Sequence, residues 1–194
     1  PVRHTGRVPN VRASDAIAGV YVVEPSIHGD QRGLFIETYR REWFPNGREM
    51  LQGNRSNKQQ GALVGLHYHL HQADYWYCPV GTIRVVLHDL REGSPTDGGT
   101  MAFDISGENH LGVYVPPGVA HGFAALTDVV MTYLVDNYYN PADELGVLWN
   151  DPAIDFSHTP YPKLLPALAA LCARLAGGWN DTFPRLGFVF LGLP

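Results

Sequence analysis

Cysteine is scarce in this chain: Cys78 and Cys172 are the only two among 194 residues. They lie far apart in apolar surroundings. A disulfide framework is thereby excluded, and two buried thiols in a reducing, cytoplasmic compartment are expected. Long apolar runs are missing too. No stretch reaches the 18 or so apolar residues that a membrane-spanning helix needs, so no membrane partner is expected. Residues 1–15 are polar, carry Arg3, Arg7 and Arg12, and contain no apolar run, which argues against a secretory signal in the chain as it stands. Charge is also low. Charged residues make up 17% and the net charge is −5, a balance that excludes a general nucleic-acid surface while leaving room for a local phosphate site.

What the chain has in plenty is glycine and proline, 21 and 15 residues, together with 45% hydrophobic residues. That mixture argues against disorder and for many short strands joined by turns. Residues 1–14 read as a loosely held arm. Strands are expected at 20–24, 34–39, 63–71, 74–78, 82–90, 100–105, 111–115, 121–126, 129–139 and 146–149. In the 82–90 segment Ile83, Val85 and Leu87 alternate with more polar neighbours, which marks a strand with one buried face. Residues 25–33 and 91–99 read as turns, 40–45 as one helical turn, and 53–61 as a polar loop. The spacing suits an all-β, jelly-roll barrel in a single domain spanning residues 1–194. After Tyr161 the pattern changes. Residues 163–175 are rich in Leu and Ala and predict a C-terminal helix ended by Gly177-Gly178. The final apolar stretch, 186–191, is expected to pack on the barrel or on a partner chain.

The chemistry concentrates in Gly61–Gly81. His67, His69 and His71 stand at alternate positions, so on an extended strand their imidazoles share a face, opposite Leu66, Tyr68 and Leu70. Asp74 follows, and His121 comes after the Pro116-Pro-Gly118 turn. His67, His69, Asp74 and His121 make a plausible ligand set for a divalent transition metal. His71 is expected at the rim, with a place as a third strand ligand as the alternative. The spacing Gly61-x5-His67-x-His69-x4-Asp74-x6-Gly81 resembles the first motif of the cupin superfamily, with Asp where Glu is usual. Pro116-Pro-Gly118-x2-His121 resembles the second, with Ala125 where Asn is typical.

A closer resemblance covers residues 19 to about 160. It rests on Gly29-Asp-Gln-Arg-Gly-Leu-Phe-Ile-Glu37, Gln52-Gly-Asn-Arg-Ser56, Gly65-Leu-His-Tyr68, Asp89-Leu-Arg-Glu-Gly-Ser-Pro-Thr96, Pro116–Phe123, Tyr133, Asn137–Pro141 and Trp149–Pro152. In that order these stretches resemble the dTDP-4-dehydrorhamnose 3,5-epimerase family and its monoepimerase relatives. The resemblance implies a cupin-type barrel, a homodimer, a nucleotide-linked 4-keto-6-deoxyhexose substrate and no cofactor. It implies proton abstraction beside a ketone, by His67 as base and Tyr133 as acid, through an enolate. It also implies that Arg32 holds the diphosphate, that Phe35, Glu37, Gln52 and Asn54 serve the nucleotide cleft, and that His121 and Tyr139 line the cavity.

Three positions depart from the family pattern. Val64 replaces an arginine, which removes a cation from the diphosphate or sugar pocket. Asp74 stands about where a lysine faces the enolate oxygen, and a carboxylate there repels an oxyanion. Ala169 falls where the base histidine's aspartate partner belongs, and neither Asp155 nor Asp181 fits the motif. Three functions therefore follow as expectations. The first is a 3- or 3,5-epimerase of deoxysugar or natural-product biosynthesis. The second is a repurposed metal-dependent enzyme acting on another carbonyl- or oxygen-bearing small molecule. The third is a non-catalytic binding homologue.

Overall fold

A computed structural model describes residues 9–44 and 48–146. The chain divides into two units, 1–147 and 148–194, and every described residue belongs to the first. The expected C-terminal helix, the apolar tail, Cys172, Ala169, Asp155, Asp181 and the 149–152 motif lie outside the described residues.

The described residues form antiparallel strands. They are β1 (Asn10–Ala13), β2 (Tyr21–Glu24), β3 (Ile27–Asp30), β4 (Gly33–Ile36), β5 (Gln52–Lys58), β6 (Leu63–Tyr68), β7 (Asp74–Val80), β8 (Thr82–Asp89), β9 (Thr100–Ser106), β10 (Gly112–Val115), β11 (Val119–Ala125), β12 (Val129–Val135) and β13 (Leu145–Gly146). A six-stranded sheet has the order β1-β2-β10-β7-β12-β5 and a five-stranded sheet the order β13-β6-β11-β8-β9, while β3 and β4 form a separate hairpin. This is the jelly-roll architecture that the strand spacing predicts. The helical turn expected at 40–45 is a short 3-10 turn at Arg41–Trp43.

The two large sheets face each other across one apolar core. Ile83, Val85 and Leu87 of β8 are fully buried in it, as the alternation requires, together with Trp76, Cys78, Val113, Val115 and Met131. Burying side chains of this size is worth roughly 1.5–3 kcal/mol each, enough to set which face of each strand points inward. Strand β7 is buried on both faces. Asp74, Trp76 and Cys78 point one way, while Tyr75 joins a second cluster with Val23, Phe44, Ala73 and Tyr114. Phe44 stacks on Tyr114 with ring centroids 4.6 Å apart, so the 3-10 turn caps the outer side of the six-stranded sheet.

Three segments differ from the sequence expectation. Part of the proposed N-terminal arm is β1, paired along its length with β2. The 25–33 turn region contains β3, which closes on β4 with Asp30 opposite Gly33. The supposed polar loop at 53–61 is largely strand β5, paired with β12. Its burial alternates, with Gln52, Asn54, Ser56 and Lys58 turned inward and Gly53, Arg55 and Asn57 exposed. The inward face is polar because it lines a cavity rather than the apolar core, so its period of two carries no hydrophobic signal.

Candidate active site

The histidine-bearing strand β6 pairs with β11 so that His67 sits opposite His121, and Phe123 sits opposite Val64. Two residues of β11 therefore span the interval that three residues of β6 occupy, a β-bulge. The bulge has a direct effect: Val64 and His67, three positions apart, both line the same cavity. Gly122 makes the close pairing feasible. A Cβ there would lie 2.6 Å from the Val64 carbonyl oxygen, well inside contact distance.

The three rings cluster. Centroids lie 4.4 Å apart for His67 and His121, 5.2 Å for His67 and His69, and 5.4 Å for His69 and His121. Each ring has its Nδ1 beside a main-chain carbonyl: Gly65 for His67 at 3.3 Å, Asp143 for His69 at 2.7 Å and Val119 for His121 at 2.8 Å. A carbonyl only accepts, so each Nδ1 carries a proton directed at it and each Nε2 is turned away from the main chain. Asp143 does double duty, since its buried carboxylate also accepts from the N–H groups of Leu70 and His71 at 2.8 and 3.2 Å. It thereby fixes the turn that follows β6.

Asp74 lies beside this cluster. Gln72 Nε2 donates to its Oδ1 at 2.9 Å and Trp76 Nε1 to its Oδ2 at 3.0 Å. Its Oδ2 also lies 3.8 Å from His121 Nε2, with both side chains almost wholly buried. Burial lowers the His67 imidazole below its ordinary range, and the neighbouring His69 adds to this. Burial, followed by repulsion from His67, pushes His121 down to about 3. Desolvation disfavours the charged form of an imidazole, so these rings are neutral at pH 7.

The opposite wall comes from β5 and β12. Tyr133 pairs in register with Asn54, and Val135 with Gln52. All four line a cavity of about 340 Å³, with His67, His69, Asp74, Trp76, Lys58 and Tyr139 among the other lining residues. Burial raises the Tyr133 phenol above its usual range, and Asp74 and Glu144 push it further up. Tyr133 thus holds its proton at neutral pH.

Of the residues expected from the sequence, His67, His69, Asp74, Tyr133, Gln52, Asn54 and Tyr139 line this one cavity. His121 is buried behind His67, against Trp76. His71 is exposed, consistent with a rim position. Arg32 and Phe35 lie elsewhere, in a shallow concavity on the β3–β4 hairpin. Arg32 pairs with Asp30 there, while Glu37 pairs with Arg40. Sequence reasoning missed Gln72, Trp76, Lys58, Asn140 and Glu144. Trp76 was within reach, because it stands two residues after Asp74 on the same face of one strand. Asp89, part of a quoted motif, is structural: it accepts from Arg91, Ser94 and Thr96 and braces the 91–99 turn.

A jelly-roll barrel with a cavity walled by imidazoles on one sheet and by a phenol and amides on the other defines a cupin-type protein built to hold a small polar molecule. The family profile described as dTDP-4-dehydrorhamnose 3,5-epimerase matches residues 14–170, and the chain belongs to that family. The dTDP-4-dehydrorhamnose 3,5-epimerase of Salmonella typhimurium is 37% identical over 163 residues, 80% of this chain and 88% of that one. That of Neisseria gonorrhoeae is 39% identical over 145 residues, 72% of this chain but only 44% of the longer relative. Among solved structures, NovW is a 4-keto-6-deoxy sugar epimerase from the novobiocin biosynthetic gene cluster of Streptomyces spheroides. It aligns with a TM-score of 0.69 at 30% identity, covering 87% of this chain and 94% of NovW.

Proposed function

We propose that this chain epimerises a nucleotide-linked 4-keto-6-deoxyhexose, at one or both carbons beside the ketone, in deoxysugar or natural-product biosynthesis. The observation that carries this reading is the two-walled cavity. His67 stands on β6 of the five-stranded sheet and Tyr133 on β12 of the six-stranded sheet, and both line the same space. Inverting a carbon needs a proton removed from one face and returned to the other. A neutral imidazole on one wall and a protonated phenol on the other suit the two halves of that task.

The steps follow from the residues. The ketone acidifies the adjacent C–H bond. His67 Nε2 takes that proton while Nδ1 stays on the Gly65 carbonyl, and an enolate forms. The Tyr133 hydroxyl returns a proton to the opposite face. Gln52 and Asn54, joined to each other by a 2.8 Å hydrogen bond, present amides to the polar part of the substrate. The relatives' names support a dTDP-linked sugar. Arg32 and Phe35 serve the nucleotide from the projecting hairpin in a homodimer, and Glu37 belongs to the same region. The compartment we assign is the cytoplasm, in keeping with the unpaired Cys78 thiol. Among the described residues no helix is long and apolar enough to cross a membrane.

Incubating the protein with a dTDP-4-keto-6-deoxyhexose in D2O tests the reading. Deuterium is expected at C3, at C5, or at both, and its position counts the centres inverted. No incorporation at either carbon above the protein-free control would overturn it.

A further inference from the structure

The epimerase reading gives Lys58 no task, yet this residue stands in the cavity wall. It ends β5, and it follows Gln52, Asn54 and Ser56 on the inward face of that strand. It is the one lysine or arginine among the described lining residues, against the carboxylates of Asp74 and Glu144. Among the described residues its ammonium enters no ion pair or hydrogen bond. Other half-buried cations are already committed, Arg84 to Asp104 and Arg91 to Asp89.

Strand register fixes which end of the cavity Lys58 occupies. Asn54 is paired with Tyr133 and Gln52 with Val135, while Lys58 is paired with Val129. Asp74 lies level with Val135 on β7, so it belongs to the Gln52 end. The run of strand from Asn54 to Lys58 covers about 13 Å. On the facing sheet, β6 starts directly after the 59–62 connection, in which Ala62 donates to the Gln59 carbonyl at 3.0 Å. Lys58 and Val64 thus flank one turn and line the same end of the cavity, with Tyr133 and Asp74 toward the other.

This division matches the substrate of the epimerase reading, on which the inference rests. The ketone is at C4, beside the carbons that lose and regain a proton, and the diphosphate hangs from C1, across the ring. A sugar held with C4 between His67 and Tyr133 sends its diphosphate away from Asp74. Val64 leaves that end without the arginine of the family pattern, and phosphate oxygens taken from water without a counter-charge are strongly disfavoured. We infer that Lys58 binds the substrate's diphosphate from the cavity wall, in the role that Val64 does not fill. A lysine brings a compact charge on a flexible stem, which suits service from the strand across the cavity. Arg32 is paired with Asp30 on the β3–β4 hairpin, outside this cavity. Lys58 therefore sets affinity for the nucleotide sugar and takes no part in the proton transfers at His67 and Tyr133.

Calorimetry with dTDP-glucose, which lacks the ketone, measures binding apart from turnover. Lys58→Met keeps most of the stem and removes the charge. It should weaken binding at least about tenfold, the usual size of a charged hydrogen bond, and flatten its dependence on salt. With the keto substrate it should raise KM by a similar factor and leave kcat within about threefold. Lys58→Arg should keep binding within about threefold, because the charge remains. Arg55→Met, on the exposed face of the same strand, should behave as wild type. If Lys58→Met fails to fold by circular dichroism, Lys58→Gln is read in its place. Unchanged binding in Lys58→Met overturns the assignment, as does equal loss in Arg55→Met or Lys58→Arg. A fall in kcat at unchanged KM also overturns it, by moving the lysine to the enolate. Binding that depends on Lys58, without deuterium exchange in the wild type, sinks the epimerase reading alone. Exchange in the wild type, with binding that ignores Lys58, sinks this inference alone.

Discussion

At the scale of single residues, the site depends on hydrogen bonds that each leave one atom free. His67 is useful because the Gly65 carbonyl occupies its other nitrogen, and Tyr133 because burial keeps its proton in place. Removing either should be felt differently. His67→Asn should lower deuterium incorporation by about 10²-fold or more, the usual size of a general-base term. Tyr133→Phe should suppress the inverted product by a similar factor while sparing incorporation more, since the base still removes the proton. Product analysis by NMR alongside mass spectrometry reads both effects, and equal loss in the two variants would contradict the split of roles. Asp74 is the residue whose meaning the sequence posed most sharply. Its partners Trp76 and Gln72 keep it in place as a fixed acceptor, a poor neighbour for an enolate and a good one for a cation.

Elements show where sequence reasoning works. Strands with one apolar face were legible, and β8 with Ile83, Val85 and Leu87 is the plainest case. The turn at 91–99 was legible from its three glycines and Pro95. Strand β5 was not, because hydrophobic alternation reports only strands that face an apolar core, and this one faces a polar cavity. The bulge in β6 was also invisible. Simple alternation sets Val64 and His67 on opposite faces, and only the register against β11 brings them together. The 91–99 turn also carries a pH prediction. Burial works to raise Asp89, but hydrogen bonds from Arg91, Thr96 and Ser94 outweigh it and hold the carboxyl far below its usual range. A carboxylate depressed in the folded state stabilises the fold above its unfolded pKa of about 3.9, and that contribution is lost as pH falls below it. Unfolding midpoints in urea should therefore drop between pH 5 and pH 3. Asp89→Asn should be less stable at pH 7 and show a shallower drop. An unchanged acid slope in that variant would show that other carboxylates dominate.

At the scale of the whole molecule, the β3–β4 hairpin stands apart as its own two-stranded sheet and exposes large apolar side chains. Leu34 is 61% and Phe35 69% exposed, an arrangement that suits a surface covered by another chain. Light scattering should give a dimer mass for the protein, and Leu34→Ser with Phe35→Ser should shift it toward monomer and raise KM for the nucleotide sugar. A wild-type monomer at micromolar concentration would contradict this.

Strand β5 has one more consequence. It is both a wall of the cavity and the last strand of its sheet, bonded on one side to β12 and, among the described residues, to nothing on the other. Every other strand of that sheet except β1 is held from two sides. Strand β5 has a single ladder and contributes no residue to the apolar core, whereas β12 and β7 each have two ladders. The wall that carries Gln52 and Asn54 is therefore tied in by one ladder, while β6 opposite, which carries His67, is held by two, to β11 and to β13.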